Sequence, residues 1–367
     1  MFGLTRELSI GLDISDSSIE VALVEKTAGR YRVLSVGRTE MRPGIVDQGR
    51  IKDKGELARL VKKVFETANI VPTRARMVIA GLPESKTYIH FASVPETDKN
   101  TMKEYIEKET RRAVPLASHD LVSSYAVMKK DAVATRVIIA AASKMILDEW
   151  NSFFGSLGLP PVSIEPEIFA VYRGLADTMP QSASRVGVLD CGAFATTFYV
   201  FTAGALSYSH TVPMGGEQCT RAISKKIGLN LKDAEKQKHL HGFSGTNPQV
   251  LSILIKEFEP VVHELHSALD MREGSEAGAL QKIICVGGSS MLPGLAKYLS
   301  SNVSVPVEIG ASAFFGSLPK HVDITPNPSF YVEAIGLALR TWYDGTTPLF
   351  EGAPQGHAFA RMFPWRH

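Results

Sequence analysis

The sequence has few cysteines, no long apolar run and no excess of charge of one sign, and each absence excludes a class of protein. The three cysteines, Cys191, Cys219 and Cys285, are odd in number and form no C-x-x-C pair, which argues against a disulfide framework and a structural zinc site. No stretch approaches the roughly 20 apolar residues that cross a bilayer. The 40 basic and 38 acidic residues nearly cancel, so the sequence predicts no nucleic-acid partner.

The chain is long enough to fold as a large soluble globular protein. With 367 residues, of which 44% are apolar, it can bury a large core and divide into two or more domains. Its first residues, MFGLTRELSIGLD, lack the apolar core and cleavage pattern of a signal peptide. We therefore expect a cytoplasmic protein.

Apolar periodicity predicts an α/β protein that carries an inserted block. Strands followed by an amphipathic helix precede residue 82, and a β-α-β-β-α succession between residues 82 and 164 is long enough for a small inserted domain. The predicted strands cover residues 20–24, 31–37, 76–80, 87–94, 125–129 and 136–141, and the predicted helices cover residues 54–68, 98–114 and 144–158.

One device occurs twice in the sequence: a buried strand that ends in aspartate, a turn of small and hydroxyl residues, and a returning strand. The first copy, I-G-L-D-I-S-D-S-S-I, contains Asp13, and the second, V-G-V-L-D-C-G-A-F-A-T-T, contains Asp190. Alone, each copy would indicate an ordinary hairpin. The repetition indicates an internal duplication.

Two glycine pairs follow the second copy. Gly215 and Gly216 precede a helical pattern, and Gly287 and Gly288 follow a strand in I-C-V-G-G-S-S-M. Glycine lets a ligand approach the backbone and the positive end of a helix. Neither pair belongs to a Walker A loop or a G-x-G-x-x-G motif. Two strand-end carboxylates suit Mg²⁺ held mostly through water, which lets them accept a polyphosphate.

These motifs resemble the phosphate-1, phosphate-2 and adenosine motifs of the actin-like ATPase superfamily. Within it, four stretches resemble the PilM family of type IV pilus assembly proteins: G-I-V-D-Q-G-R-I-K-D (44–53), I-E-P-E-I-F-A-V (164–171), V-P-M-G-G-E-Q-C-T (212–220) and Y-V-E-A-I-G-L-A-L-R (331–340). The resemblance implies an α/β actin-like ATPase fold with two duplicated α/β lobes around a nucleotide cleft and an FtsA/PilM-type subdomain 1C. It divides the chain into subdomain 1A (1–81, 165–185 and 335–345), 1C (82–164), 2A (186–228 and 282–334), 2B (229–281) and a linker and tail (346–367).

The resemblance also implies site residues for ATP or ADP with Mg²⁺. Asp13 and Asp190 would hold the Mg²⁺ shell, and Glu167 would orient the attacking water. The residues that would contact the nucleotide are Ser15, Ser17, Ser18, Gly192, Thr196, Thr197, Gly215, Gly216, Glu235, Lys238, Gly287 and Gly288.

Some of these residues also have simpler interpretations. Glu235 and Lys238, three residues apart, could be an exposed helix ion pair. Glu167 could simply favour the start of its helix, where an acid suits the helix dipole. The histidines His239, His241, His263 and His266 lack metal-ligand spacing and are expected at the surface.

Three residues depart from the family pattern in the first hairpin. Relatives usually have glycine in D-I-G-x-S-S, whereas this chain has Ser15 there, followed by Asp16. Glu20 stands where lysine is common. A carboxylate about 5 Å from a phosphate costs about 1 to 3 kcal/mol. We therefore expect weak nucleotide binding or slow hydrolysis, and at most a slow Mg-dependent ATPase.

The resemblance implies a partner and a location. PilM binds the cytoplasmic N-terminal segment of PilN, a single-span membrane protein, so we expect a PilN-like partner at residues 80–165 and a position at the inner face of the cytoplasmic membrane. Self-association stays open. The aromatic and basic tail at residues 357–367 could contact the membrane peripherally, imitate the PilN segment through F-P-W-R, or be an ordinary disordered end.

Two other functions fit the same fold. One is an FtsA-like membrane-associated scaffold of cell division or of the envelope that forms filaments. The other is a small-molecule kinase, which the sequence disfavours because the inserted block shows no cluster suited to a phosphoryl acceptor.

Overall fold

The structure, a computed structural model, describes residues 6–75, 77–82, 86–95, 99–130, 134–159, 162–176, 185–270, 278–312 and 327–342. These residues form two compact units. The first unit takes its described residues from Met1–Tyr31, Arg38–Phe169 and Leu337–His367, and the second from Arg32–Gly37 and Ala170–Gly336. The predicted tail lies outside the described residues.

The first unit is built on a five-stranded sheet with the order β10-β6-β1-β2-β3. Its strands are β1 (Glu7–Ile14), β2 (Ser18–Thr27), β3 (Arg30–Glu40), β6 (Met77–Leu82) and β10 (Val162–Pro166). β1 is antiparallel to β2 and parallel to β6. Between β3 and β6 come a short hairpin of β4 (Val46–Asp47) and β5 (Arg50–Ile51) and the helix α1 (Lys54–Thr67). α1 buries its apolar face in the core of this unit.

The inserted block forms an antiparallel sheet of order β7-β9-β8 with two helices. Its elements are β7 (Thr87–Pro95), α2 (Lys99–Ala113), β8 (Leu121–Lys130), β9 (Ala134–Ser143) and α3 (Lys144–Ser156). α2 covers a small core that includes Val94 and Ile106. α3 instead buries Trp150 and its neighbouring aromatic residues in the main core of the first unit. The block is therefore attached through α3 and does not stand apart.

The second unit repeats the plan of the first sheet with the order β13-β12-β11-β14-β15. Its strands are β11 (Arg185–Cys191), β12 (Thr196–Thr202), β13 (Ala205–Val212), β14 (Leu280–Val286) and β15 (Val307–Ile309), and its helices include α5 (Gly216–Ile227), α6 (Leu231–His241), α7 (Pro248–Asp270) and α8 (Leu295–Val303). β11 pairs antiparallel with β12 and parallel with β14, as β1 does with β2 and β6. The predicted duplication is confirmed.

Two further helices meet through glycine, at residues of each that belong to the second unit. They are α4 (Glu167–Gly174) and α9 (Val332–Leu339). A Cβ atom on Gly336 would lie 1.7 Å from the carbonyl oxygen of Ala170, and one on Gly174 would lie 2.0 Å from that of Val332. The guanidinium Nε of Arg173 donates to the carbonyl of Gly336 at 2.9 Å. Only glycine permits this approach of two helix backbones.

The elements that the sequence predicted are present, each within a few residues of its expected bounds. The predicted bounds of the four subdomains and of the tail are finer than the two units and stay predictions. In the described part of the chain, no helix is long and apolar enough to cross a membrane. All three cysteines are free and buried in the second unit.

Candidate functional site

The first hairpin satisfies its own backbone donors. After β1 ends, Ser15 places its Oγ within reach of the N–H groups of Ser17 and Ser18, at 3.3 and 3.1 Å. The N–H of Ser15 donates to the carbonyl of Ser18 at 3.0 Å. This pattern is a serine turn, in which a hydroxyl takes the place of a backbone acceptor. Two amides that a phosphate could use are thus already paired.

Asp16 is held by backbone donors from the β4–β5 hairpin. Its two carboxylate oxygens accept hydrogen bonds from the N–H of Gln48 at 2.8 Å and the N–H of Gly49 at 2.9 Å. The sequence predicted only that this carboxylate repels a nearby phosphate. The structure gives this carboxylate a structural role as well, while the repulsion itself stays a prediction.

A buried ion pair lies beside Asp13. Glu20 is directly opposite Asp13 in the β1–β2 register. Burial raises the pKa of Glu20 to about 7, although the pairing with Arg38 opposes this shift. The Nε of Arg38 donates to the Glu20 carboxylate at 2.7 Å. Arg38 thus supplies, from β3, a positive charge beside the Glu20 carboxylate.

Asp13 and Glu167 lie close together in the first unit. Asp13 is buried near the end of β1, and Glu167 is the first residue of α4. One carboxylate oxygen from each lies within 4.8 Å of the other. Two acidic groups at this separation repel each other unless a proton or a cation lies near them. The pair therefore fits a hydrated Mg²⁺ ion.

The second hairpin has the opposite arrangement of backbone groups. The carbonyl of Gly192 accepts from the N–H of Gly216 at 3.1 Å and from the Oγ of Ser289 at 3.2 Å. The carbonyl of Ala193 accepts from the N–H of Glu217 at 2.8 Å. Within the described residues, the N–H groups of Ala193 and Phe194 make no hydrogen bond. Successive backbone N–H groups of a turn are the donors from which anion-binding concavities are built.

Asp190 lies beside this turn in close contact with Gly287. Burial raises the pKa of Asp190 to about 6. No cationic side chain pairs with it in the part of the chain that the structure describes. A Cβ atom on Gly287, whose φ is +80°, would lie 2.4 Å from the Asp190 carboxylate and 2.7 Å from the Cys191 carbonyl oxygen. A half-buried carboxylate that has no cationic partner among the described residues fits the donor set of a Mg²⁺ shell.

The two threonines of the second hairpin use their hydroxyls within the protein. Thr196 donates its hydroxyl to the carbonyl of Met214 at 2.8 Å, and the hydroxyls of Thr197 and Thr211 lie 3.1 Å apart. The structure therefore places both residues beside the turn, and their hydroxyls have hydrogen-bond partners in the same chain at Thr211 and Met214.

Lys238 is buried and not part of an exposed ion pair. Its side chain is only 4% exposed, whereas that of Glu235 is 43% exposed. Its ammonium donates to the carbonyl of Gly216 at 2.9 Å, to the hydroxyl of Thr220 at 2.8 Å and to the carboxylate of Glu235 at 2.7 Å. Because an ammonium has three protons, Lys238 holds the start of α5 and has no donor left over for a nucleotide.

The Glu235 side chain has an exposed side, on which a ligand could contact it. Burial raises its pKa, but a hydrogen bond from His239 and the charge of Lys238 outweigh this effect and lower the pKa to about 2. Glu235 is therefore ionised at any neutral pH. Two further residues of this site, Thr220 and Ser289, were not predicted from the sequence. The only signal for them was their position just after the glycine pairs.

Comparison with protein families gives one match over most of the chain. A family model described as type IV pilus assembly protein PilM matches residues 11–342. The cell division protein FtsA of Escherichia coli strain K12 is 21% identical over an alignment of 383 residues with its gaps counted. The alignment covers 90% of this chain and 90% of that protein. FtsA of Neisseria meningitidis serogroup B is 27% identical over 213 residues, and the chain spans only about half the length of that relative, 50%.

Solved structures agree on the fold. A PilM-PilN type IV pilus biogenesis complex matches with a TM-score of 0.77 at 22% identity, covering 90% of this chain and 98% of that one. The ethanolamine utilization protein EutJ from Carboxydothermus hydrogenoformans matches with a TM-score of 0.53 at 14% identity, covering 90% and 89%. The chain has the actin-like ATPase fold with two duplicated α/β lobes.

Proposed function

The chain belongs to the PilM family of type IV pilus assembly proteins, and from that premise we propose that it is a nucleotide-binding scaffold of an inner-membrane assembly complex. The complex would serve a type IV pilus or a related secretion system. The scaffold would work at the inner face of the cytoplasmic membrane. Its membrane partner would be a single-span protein like PilN.

One observation carries the nucleotide part of this proposal. The carbonyls of Gly192 and Ala193 in the second hairpin accept hydrogen bonds from α5 and Ser289, and the amides of Ala193 and Phe194, near Asp190 in the chain, have no partner among the described residues. Such a turn suits phosphate oxygens, and an adjacent ionised aspartate suits Mg²⁺. We keep Asp13 as a Mg²⁺ ligand and Glu167 as the residue that orients water as part of this proposal.

The proposed hydrolysis is slow. In the first hairpin the Ser15 hydroxyl occupies the amides of Ser17 and Ser18. A nucleotide that binds there must displace these hydrogen bonds or do without the amides, and Asp16 adds a negative charge. Tight binding with fast turnover would need a first hairpin whose amides have no protein acceptor, like the amides of Ala193 and Phe194 within the described residues.

Calorimetric titration of the full chain with Mg-ATP tests the nucleotide part. We expect a dissociation constant in the micromolar range or weaker, turnover of less than about one ATP per minute, and loss of binding in Asp190→Ala. The matched control is Asp47→Asn, which also removes an acid. This variant should bind Mg-ATP like the wild type because Asp47 is exposed and lies outside the proposed site. Absence of binding would contradict the proposal, as would submicromolar affinity with rapid turnover.

The partner part needs a different experiment. A labelled synthetic peptide with the N-terminal cytoplasmic sequence of the PilN-like protein from the same organism should bind the chain and crosslink within residues 80–165. The similarity to FtsA over 90% of the chain favours one alternative, a filament-forming scaffold. Sedimentation of the protein in Mg-ATP, without peptide binding, would favour that alternative.

A further inference from the structure

Asp16 connects two segments that are far apart in the sequence. Both of its carboxylate oxygens accept backbone N–H groups from the turn at residues 47–50, which joins β4 to β5 and which we name the relay turn. The donors, Gln48 and Gly49, both have positive φ angles, of 47° and 68°. The turn is thus held in a left-handed conformation that points consecutive amides at one anion, the Asp16 carboxylate.

The other side of the relay turn is held by helix α3 of the inserted block. The indole Nε1 of Trp150 donates to the carbonyl of Gly49 at 3.1 Å, and this indole nitrogen is buried. One residue on, the Nε of Arg50 donates to the carboxylate of Glu149 at 2.7 Å. Gly49 therefore receives a hydrogen bond from α3 on its carbonyl and gives one to Asp16 from its amide.

We propose that Asp16 is a positioning residue that couples the loop Ser15–Ser18 to helix α3 through the relay turn. This inference rests on the proposed function, because it concerns the nucleotide affinity of that loop. The relay turn neutralises part of the Asp16 charge with two backbone donors. When α3 moves, the turn moves with it, and Asp16 then presents a less compensated negative charge within the loop Ser15–Ser18.

The direction of the effect follows from this charge. Weakening the contacts between α3 and the relay turn should weaken Mg-ATP binding, because the released carboxylate repels phosphate. When the Asp16 carboxylate is removed, weakening the contacts between α3 and the relay turn should no longer change the affinity for Mg-ATP. By reciprocity, Mg-ATP bound at the loop would change the binding free energy of any ligand that shifts α3, including a partner that binds the inserted block.

A double-mutant cycle tests the coupling. Trp150→Phe removes the indole donor to Gly49, and Glu149→Gln weakens the pair with Arg50 without opening a cavity. In the full chain we expect each variant to raise the dissociation constant for Mg-ATP about three- to tenfold, and we expect no change in the Asp16→Ala background. The Glu149→Gln variant keeps the test informative if Trp150→Phe does not fold.

Asp47→Asn is the matched control, because Asp47 belongs to the same turn but is exposed. It should leave the dissociation constant unchanged in both backgrounds. If the wild type binds Mg-ATP and both α3 variants bind it equally well, the coupling is overturned and the proposed function stands. Equal weakening in both backgrounds overturns it too, since the effect would then bypass Asp16.

A measurement without nucleotide separates the two proposals further. The ¹⁵N-labelled indole signal of Trp150 should shift in Asp16→Ala and stay in place in Asp47→Asn, because the carboxylate holds the turn whose Gly49 carbonyl accepts the indole proton. An unshifted Trp150 signal in Asp16→Ala would overturn the relay even if the chain bound no Mg-ATP at all. A shifted signal supports it in the same case.

Discussion

The two hairpins of the duplicated sheets share a topology but differ in where their backbone donors go. In the first, the Ser15 hydroxyl accepts the amides of Ser17 and Ser18. In the second, the carbonyls are held by α5 and Ser289, while the amides of Ala193 and Phe194 stay open within the described residues. Duplication has therefore preserved the strand pairing, and the chemistry of the two turns has diverged.

The surroundings of the two aspartates differ in the same way. Asp13 faces a buried acid that is already paired with arginine, and Asp16 is tied to a neighbouring hairpin. Asp190 has a glycine fitted against it and a raised pKa. The first hairpin is thus hydrogen-bonded to the rest of its unit through Asp16. In the second, the Asp190 carboxylate and two amides have no such protein partner within the described residues.

The largest expected effect comes from closing the space at Asp190. Gly287→Ala places a Cβ atom where the Asp190 carboxylate lies and forces an unfavourable φ of +80°. We expect a loss of about 3 kcal/mol or more in the free energy of unfolding, because strain and overlap add. Chemical denaturation measures this. Gly288→Ala, whose nearest contact would be 3.4 Å from the Phe330 ring, should cost less than 1 kcal/mol; equal losses would contradict the close fit.

The next effect concerns the support under the second hairpin. Lys238→Met removes three hydrogen bonds that hold the start of α5, so we expect a loss of about 2 to 4 kcal/mol in the free energy of unfolding. Lys236→Met is the control, because Lys236 pairs with Asp233 at the same spacing on the same helix but is 66% exposed. It should change stability by about 0.5 kcal/mol or less. Similar losses in both variants would mean that burial does not matter here.

The raised pKa of Asp190 gives a pH-dependent effect. The carboxyl keeps its proton to about pH 6 in the folded protein but loses it near its ordinary value of 3.8 when unfolded. The folded state therefore binds more protons, and this group makes stability fall as pH rises from about 4 to 6. Asp190→Asn should be more stable than the wild type by about 1 to 3 kcal/mol at pH 8.

The same variant should lose its advantage in acid, because the wild-type carboxyl is then neutral too. Thermal unfolding at pH 8 and pH 4 gives the comparison. An advantage of the same size at both pH values would show that it does not come from the charge of Asp190.

The smallest effect should appear in the first hairpin. Ser15→Gly removes the hydroxyl that occupies two amides, so the hairpin becomes more like the second one. We expect the dissociation constant for Mg-ATP to fall about three- to tenfold, the value of roughly one hydrogen bond. Ser15→Ala separates the causes, because it frees the amides without adding backbone freedom. Unchanged or weaker binding in both variants would contradict the proposed role of the Ser15 hydroxyl.

The fold could be predicted from the sequence because its signals are local and repeated. Alternating apolar runs, strand-end aspartates and glycine pairs each report on a few neighbouring residues, and the second copy confirmed the first. The attachment of α3 could not be predicted, because Trp150 reaches Gly49 only in the folded chain.

The chemistry of the site was less predictable for the same reason. The spacing of Glu235 and Lys238 is equally compatible with an exposed pair, and only the packing of α5 on α6 buries the lysine. Asp16 was predicted to repel phosphate because of its charge. Its hydrogen bonds from Gln48 and Gly49 were missed because these donors lie 32 and 33 residues away in the sequence. Long-range hydrogen bonds leave no periodic signal in a sequence.

The buried cysteines make this chain convenient for site-specific labelling. Cys191, Cys219 and Cys285 are fully enclosed. A hydrogen bond with Cys285, together with burial, raises the pKa of the Cys191 thiol, and burial raises the pKa of the Cys219 thiol. Maleimides react with accessible thiolates, so the native chain should stay unlabelled at neutral pH. A single cysteine introduced at the exposed Asp47 would then carry a fluorophore on the relay turn without removing any native cysteine.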